Sequence, residues 1–231
     1  MKLTLLGVYG PFPAPGTGCS SYLVEDGDTK ILLDCGSGAV SRFRAIYPGP
    51  LALDAIVLSH MHTDHAGEIG LVRYVLEFGL GHTPLPIYAP DTEGLSCPVF
   101  DPIVVSDGTE AQIGSLSLRF TEVRHAVKTV GVRITDQSGH SLFYTGDTCL
   151  FEGLVDAVKD ADLLLADACL ADESNPKAMK NHMTVAQVEQ LRKMANCSRA
   201  ILTHLYGGET VFPALTDPAC EYATEGAVYE I

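Results

Sequence analysis

Residues 58–67 read LSHMHTDHAG and hold His60, His62, Asp64 and His65 within one short stretch. The stretch follows the apolar run LDAIVL, which is too short for a helix and is typical of a buried strand. Loops that follow buried strands sit on a rigid scaffold, where functional residues concentrate. Imidazole and carboxylate groups suit zinc, manganese or iron, so the cluster predicts a metal site. Because one ion cannot take all four groups in good tetrahedral geometry, the cluster favours two metal ions.

Further candidate ligands follow apolar runs later in the chain. They are His125 after LRFTEVR, Asp147 in LFYTGDT and His204 in AILTHL. His182 stands in NHMT, just before a predicted helix. Polar residues at strand ends are common, so the ordered set indicates a site more strongly than any single member does. Only His82 and His140 are left without an assigned role.

Short runs rich in Leu, Ile and Val predict strands in both halves of the chain. The first half contains KLTLLGV, SSYLVED, TKILLDCG and LDAIVLS, and the second contains SLSLRFTEV, VGVRIT, SLFYTGD, DLLLADA and RAILTHL. No linker, charge block or low-complexity segment divides them. The pattern therefore predicts one domain over residues 1–231, with sheets inside and helices outside.

Two helices are predicted from apolar periodicity. The first spans residues 67–80, where Ile69, Val72, Leu76 and Leu80 recur at helical spacing. The second lies in TVAQVEQLRKMA, which opens with the capping-box pair Thr184 and Gln187. Its expected apolar face consists of Val185, Val188, Leu191 and Met194.

The composition excludes some classes of protein. The chain has 29 acidic and 15 basic residues and a formal net charge of -14, which argues against a phosphate backbone as the main partner. Its seven cysteines are scattered without a C-x-x-C pair, which indicates reduced thiols and a cytoplasmic location. The run KLTLLGV breaks into proline and glycine without a small-residue cleavage site, which favours a first strand over a signal peptide, and no apolar stretch reaches the ~18 residues that a membrane span needs.

The whole pattern resembles the metallo-β-lactamase superfamily. The resemblance lies in HMHTDH, His125, the Asp147 of GDT and the His204 of LTHL, and in LLDCGSG, whose Asp34 resembles the family's first motif. It implies an α/β fold, the four-layer αββα sandwich, with a dinuclear site on the rim between two sheets. By this resemblance His60, His62 and His125 hold one metal, Asp64, His65 and His204 hold the other, and Asp147 bridges them. Asp34 would orient the ligand loop without touching metal.

The NHMT segment resembles the ribonuclease Z and phosphodiesterase-like branch of that family. There the matching histidine serves the phosphate, so His182 joins Asp64 as an expected catalytic residue and donates a proton or hydrogen bond. Nearby Lys177 and Lys180 are candidates for receiving an anion. Ribonuclease Z enzymes carry a long tRNA-gripping arm between the motifs of His125 and Asp147, but only 21 residues separate the two here. The chain therefore resembles the armless metal-dependent hydrolases, which argues against tRNA as a partner.

The resemblance and the residues together predict a dinuclear hydrolase that uses two divalent ions, zinc first and manganese or iron as alternatives. The expected substrate is a small or flexible phosphodiester, attacked by a hydroxide that bridges the metals. Two alternatives stay open: an esterase or lactonase with the same site, and a non-enzymatic metal-binding regulatory scaffold. A homodimer is expected from the family resemblance alone.

Overall fold

Strands dominate the structure, a computed structural model that describes residues 1–231. In chain order they are β1 (Lys2–Gly7), β2 (Tyr9–Gly10), β3 (Ser21–Asp26), β4 (Thr29–Leu33), β5 (Ala55–Val57), β6 (Leu85–Ala89), β7 (Phe100–Val104), β8 (Glu110–Ile113), β9 (Leu116–Glu122), β10 (Val130–Thr135), β11 (Ser141–Tyr144), β12 (Leu163–Asp167), β13 (Arg199–Thr203), β14 (Leu205–Tyr206), β15 (Cys220–Tyr222) and β16 (Val228–Glu230). The helices are α1 (Ala39–Ile46), α2 (Thr63–Ala66), α3 (Ile69–Glu77), α4 (Glu152–Val158) and α5 (Val185–Met194). A 3₁₀ turn covers Ala178–Lys180.

The long strands form two seven-stranded sheets. Their orders are β16-β1-β3-β4-β5-β6-β7 and β15-β13-β12-β11-β10-β9-β8, while β2 and β14 form a separate small ladder. In the first sheet β1, β3 and β4 pair antiparallel and β4 to β7 pair parallel. The second sheet repeats this plan, antiparallel from β8 to β11 and parallel from β11 through β12 and β13 to β15. The two halves of the chain therefore share one topology.

Three apolar cores define four layers. One core lies between the two sheets, the second joins the first sheet to α1 and α3, and the third joins the second sheet to α4 and α5. In β12, Leu163 and Leu165 point into the central core while Leu164 points towards the helices. Because strands so placed are buried on both faces, they appear in the sequence as continuous apolar runs. The predicted four-layer αββα sandwich is confirmed.

Both predicted helices are present, but the first is shorter than predicted and the second buries fewer of the expected residues. The first begins at Ile69 and ends at Glu77, since Gly79 takes a left-handed conformation with φ of 77°, so the prediction that it reaches Leu80 was wrong. The capping box of Thr184 and Gln187 is confirmed at α5. Met194, however, is 55% exposed, so it does not share the buried face of that helix. Helices α1 and α4, of eight and seven residues, were not predicted.

Three other expectations from the sequence can be compared with the structure. The segment between His125 and Asp147 consists of β10, β11 and a tight connection, so no arm protrudes there. All seven cysteines are free thiols. None of the helices combines the length and apolarity that crossing a membrane would require.

Candidate metal centre

The candidate ligands lie at the carboxyl ends of strands, where the chain leaves the sheets. His60 follows β5 and His125 follows β9, while Asp147 and His204 follow β11 and β13. Strands β4 and β5 are parallel, and so are β11, β12 and β13, so each set ends at one edge of its sheet. Contacts between residues of the two sheets show that these edges meet at one end of the sandwich.

One group of side chains contains His60, His62, His125 and Asp147. The Nδ1 atom of His62 lies 2.9 Å from His60 Nε2 and 3.2 Å from His125 Nε2. The Oδ2 atom of Asp147 is 3.8 Å from the Nε2 atoms of both His60 and His125. Three imidazole nitrogens and one carboxylate oxygen thus surround one small volume, a donor set that suits zinc.

A second group contains Asp64, His65, His204 and, again, Asp147. Asp64 Oδ2 lies 3.4 Å from His65 Nε2 and 3.1 Å from His204 Nε2. The Oδ1 atom of Asp147 is 3.2 Å from His65 Nε2 and 3.4 Å from His204 Nε2. The two oxygens of Asp147 therefore face different groups, which is the arrangement of a bridging carboxylate. The structure brings together all seven predicted ligands, in the two predicted groups.

Unpaired polar atoms indicate that this volume is built for a cation. His65 Nε2 and Asp147 Oδ1 are buried and make no hydrogen bond. Burying a polar atom without a partner is unfavourable by about 1–3 kcal/mol, so native proteins rarely keep such atoms without a purpose. Both point into the second group, where a divalent ion would satisfy them together. The residues present therefore fit two metal ions.

Asp34 fixes the orientation of His65. Its Oδ2 atom accepts hydrogen bonds from His65 Nδ1 at 2.7 Å, from the Ser59 hydroxyl at 2.8 Å and from the Tyr144 hydroxyl at 2.5 Å. Its Oδ1 atom accepts from the Ser59 backbone N–H at 2.7 Å. With its proton held on Nδ1, His65 directs the lone pair of Nε2 into the second group. Asp34 is buried and touches no other candidate ligand, in agreement with the orienting role expected of it.

Other contacts orient the candidate ligands of the first group. His125 Nδ1 donates to the carbonyl oxygen of Asn181 at 3.2 Å, and His60 Nδ1 lies 3.0 Å from the hydroxyl of Ser59. Each bond fixes one ring nitrogen and leaves the other free for an ion. Asn181 belongs to the NHMT segment, so that segment supports a ligand as well as supplying His182.

The electrostatics of the centre favour added positive charge. Burial lowers the pKa of His60 well below its ordinary value, which keeps it in the neutral form that binds metal. Burial opposes a charge on Asp147, but the imidazoles of His204 and His65 hold the pKa of that carboxyl well below its usual range. Burial also opposes a charge on His65, yet the carboxylates of Asp147 and Asp34 raise its pKa well above normal. A divalent ion can replace the proton that these carboxylates attract.

His182 lies against both groups and is held by a residue that the sequence reasoning missed. Its Nδ1 atom is 2.9 Å from Oδ2 of Asp167, the buried last residue of β12. Backbone N–H groups of Thr148 and Cys169 also donate to the Asp167 carboxylate, at 3.1 and 3.0 Å. The Asp167 carboxylate opposes the effect of burial and raises the pKa of His182. The run LLLAD, an acid ending an apolar strand, is the pattern that identified Asp147, and it could have identified Asp167.

His182 also belongs to two alternative ligand groupings. One joins it to Cys169 and His204, and the other joins it to Asp147, Asp167 and His204. Both reuse His204, whose Nε2 atom already faces Asp64 and Asp147. Measuring the metal content of a His182 variant shows whether His182 is a metal ligand, since only a ligand's removal should lower that content.

The remaining predicted or unassigned residues lie away from these groups. Lys177 precedes the 3₁₀ turn and Lys180 is its last residue; both are exposed, and their side chains make no hydrogen bond or ion pair. His82 is exposed, and His140 bonds to Asp136 at 3.3 Å.

Known proteins share this architecture. A model of the Beta-lactamase superfamily domain matches residues 29–205. The probable metallo-hydrolase YhfI of Bacillus subtilis is 33% identical over 224 residues, covering 89% of this chain and 87% of YhfI. Its crystal structure matches with a TM-score of 0.87 at 28% identity, over 99% of this chain and 98% of that one.

Two ribonuclease Z proteins also match. Ribonuclease Z of Mycobacterium avium is 27% identical over 240 residues, covering 88% of this chain and 85% of the enzyme. The crystal structure of human tRNase Z, short form, matches in fold with a TM-score of 0.76 at 21% identity, over 100% of this chain and 99% of that one.

Proposed function

This chain belongs to the β-lactamase superfamily as a metal-dependent hydrolase related to ribonuclease Z, and we propose that it hydrolyses phosphodiesters with two divalent ions. Zinc is the proposed metal because imidazole nitrogens predominate among the donors. The proposed ligands are His60, His62 and His125 for one ion and Asp64, His65 and His204 for the other, with Asp147 shared. Two bound ions supply Lewis acidity and a water whose pKa is lowered towards ~7.

The position of His182 is the observation that carries the proposal. Its ring stacks on His204 at 5.3 Å and meets His125 edge to face at 5.3 Å, so it lies between one proposed ligand of each ion. Asp167 binds Nδ1, which leaves Nε2 free. A free imidazole N–H beside a dinuclear centre can donate to an oxygen that gains negative charge. Phosphodiester cleavage produces such an oxygen on the leaving group.

Asp64 has two proposed roles. As a ligand, it presents Oδ2 to the second group, and the histidines there hold the pKa of its carboxyl below the usual range in spite of burial. As a catalytic residue, the ionised carboxylate accepts a hydrogen bond from the attacking water and helps to orient it. The first role requires the negative charge of Asp64, and the second requires its position beside the centre.

The proposed substrate is small or flexible. The tight β10–β11 hairpin leaves no arm for a folded RNA, and the net charge of -14 disfavours a long phosphate backbone. We therefore propose weak, salt-sensitive tRNA binding and poor cleavage of precursor tRNA. Efficient trimming of a tRNA 3′ trailer at physiological salt would refute this part of the proposal.

The chain is further proposed to act as one catalytic domain, since both sheets contribute ligands to the same centre. A homodimer is proposed from the family relationship, and light scattering of the purified protein measures it directly. Neither proposal affects the assignment of the ligands.

A substrate screen on one purified sample tests the proposed activity. Bis(p-nitrophenyl) phosphate, p-nitrophenyl phosphate, a lactone and a thioester are compared, with metal content measured on the same sample. We expect turnover of the diester above the other three. Turnover of the lactone or the thioester without any phosphodiester turnover would instead identify an esterase or lactonase, and metal binding without any turnover would identify a regulatory scaffold.

A further inference from the structure

Two exposed aromatic rings lie close to the proposed metal centre. Phe12 and Tyr206 are 44% and 38% exposed, and their ring centroids are 5.3 Å apart with the planes at 68°. Because the two rings are in contact they form one exposed apolar patch, and exposed apolar patches can mark ligand-binding sites. None of the contacts proposed for the metals or for His182 involves either ring.

The backbone brings this pair to His204. The short strands β2 and β14 are parallel, with Gly10 opposite Tyr206. A Cβ atom on Gly10 would lie 1.9 Å from His204 Nε2, the nitrogen that faces the second ligand group. Phe12 is two residues beyond Gly10 and Tyr206 is two residues beyond His204, so each lies within about 7 Å of chain from the centre. One nucleoside can span that interval.

Two glycines allow the aromatic rings to meet. A side chain on Gly207 would lie 2.1 Å from the carbonyl oxygen of Phe12, so only glycine permits the two loops to approach this closely. A side chain on Gly208 would lie 2.5 Å from Cε1 of Tyr206, whose ring lies over that residue. Leu205 is buried while its neighbour Tyr206 is exposed, as the alternation of a strand requires. The local backbone therefore presents the Tyr206 ring outward beside Phe12.

The surrounding charge selects the kind of ligand. Residues 8–18 contain no charged side chain, and residues 205–216 contain only Glu209. Arg42 reaches the first segment, where it donates to the carbonyl oxygen of Gly16 at 3.4 Å, but its guanidinium is paired with Glu225 at 3.1 Å. Neither segment itself supplies a lysine or arginine for a second phosphate, so a continuing nucleic-acid backbone is disfavoured. An uncharged planar ring can stack on exposed aromatic side chains without hydrogen-bond readout.

We propose that Phe12 and Tyr206 bind the base of a nucleoside phosphodiester whose phosphate lies at the metal centre. This inference rests on the proposed phosphodiesterase activity and narrows its substrate to a single nucleoside ester. Stacking of a base on one aromatic ring raises the affinity for the nucleoside ester about tenfold or more.

A fluorescence experiment measures the base contact without turnover. The chain has no tryptophan, so Phe12→Trp provides a single reporter at the site. The metal-loaded variant is titrated with AMP and with ribose 5-phosphate, which differ only in the base. We expect AMP to change the emission and to bind about tenfold more tightly. Adding Tyr206→Ala should abolish the difference, whereas Val211→Ala, at a 93% exposed position in the same loop, should preserve it.

Kinetics with the native Phe12 provide a second measurement. The p-nitrophenyl ester of thymidine monophosphate is compared with methyl p-nitrophenyl phosphate, which has the same leaving group and no base. Tyr206→Ala should lower kcat/KM about tenfold or more on the nucleoside ester and about twofold at most on the methyl ester. Val211→Ala should change neither value.

Equal binding of AMP and ribose 5-phosphate, with equal kinetic losses on the two esters, would overturn the inference. Failure of the wild-type protein on both esters would instead overturn the proposed phosphodiesterase activity. The titration would still decide the base contact in that case, since it does not depend on turnover.

Discussion

Replacing His182 by alanine should separate proton donation from metal binding. In the structure this ring packs between His204 and His125 but bonds through Nδ1 to Asp167, which is not a proposed ligand. His182→Ala should therefore retain both ions. It should lose the hydrogen bond from Nε2 to the leaving oxygen, which typically contributes ~10²–10⁴ in rate, or about 2.7–5.5 kcal/mol in barrier.

The loss should depend on the leaving group. An alcohol needs a proton as the bond to phosphorus breaks, whereas p-nitrophenol leaves readily as its anion. The assay compares kcat/KM at fixed pH on two diesters that share one substituent and differ only in this leaving group. We expect a loss of about 10³-fold with the alcohol and less than about 10-fold with p-nitrophenol. His82→Ala, at an exposed histidine without an assigned role, is the matched control and should match wild type.

Asp167→Asn tests the same reasoning one step farther from the substrate. Asparagine keeps the size of the side chain and can still accept from His182 Nδ1, but it removes the buried charge. Substituting such orienting partners typically lowers activity by about 10–100-fold, so the loss of activity should be smaller than that of His182→Ala.

For His182→Ala, equal losses of kcat/KM on the two diesters would refute proton donation, and loss of one metal ion would make His182 a metal ligand.

Three other substitutions test the centre and the scaffold. Protein purified without chelator should contain about two transition-metal ions per chain, and Asp147→Ala should lose most of that metal and all hydrolysis, as elemental analysis of both proteins would show. Asp34→Asn should lower the affinity for one metal ion about 10–100-fold in a chelator competition, because it disturbs the hydrogen bond that orients His65. An unchanged affinity would contradict the orienting role of Asp34. Burial opposes the charge of Glu189, but hydrogen bonds from the N–H groups of Asp217 and Thr216 and from the Thr216 hydroxyl lower the pKa of its carboxyl below the ordinary 4.5. The stability that the ionised carboxylate contributes is therefore fully present above pH 4.5 and is lost as the pH falls below that value. Glu189→Gln should therefore lower the free energy of unfolding by about 1.5–3 kcal/mol at pH 7, with a difference that narrows in acid; a difference independent of pH in denaturant titrations would contradict this.

The four-layer sandwich was predicted from the family resemblance, whereas the placement of sheets inside and helices outside could be predicted from the sequence itself, because many of the strands are buried on both faces. In a chain with no membrane-length segment, continuous apolar runs such as the one ending in Asp167 indicate strands that are covered on both sides. The short helices were harder to predict. Helix α1 begins after Gly38, which has a left-handed φ of 90°, and it has no acidic residue in its first turn to mark its start. Phe43 and its buried neighbours fix this helix through packing on the sheet, a tertiary contact that local periodicity does not show.

The proposed ligands could be selected from the sequence because metal chemistry admits few residue types and the topology gathers strand ends at one edge. The residues that orient them follow a weaker rule. Asp34 was singled out because LLDCGSG resembles the first motif of the family, whereas no such resemblance marked Asp167. An acid at a strand end can have many roles, and the 2.9 Å contact with His182 identifies the role of Asp167. The aromatic pair follows no rule visible in the sequence. Phe12 and Tyr206 meet only because parallel β2 and β14 align them and Gly207 permits the approach. The residue types that can bind a metal are thus readable from the sequence, whereas the proposed base contact depends on an approach of distant segments that only the folded chain reveals.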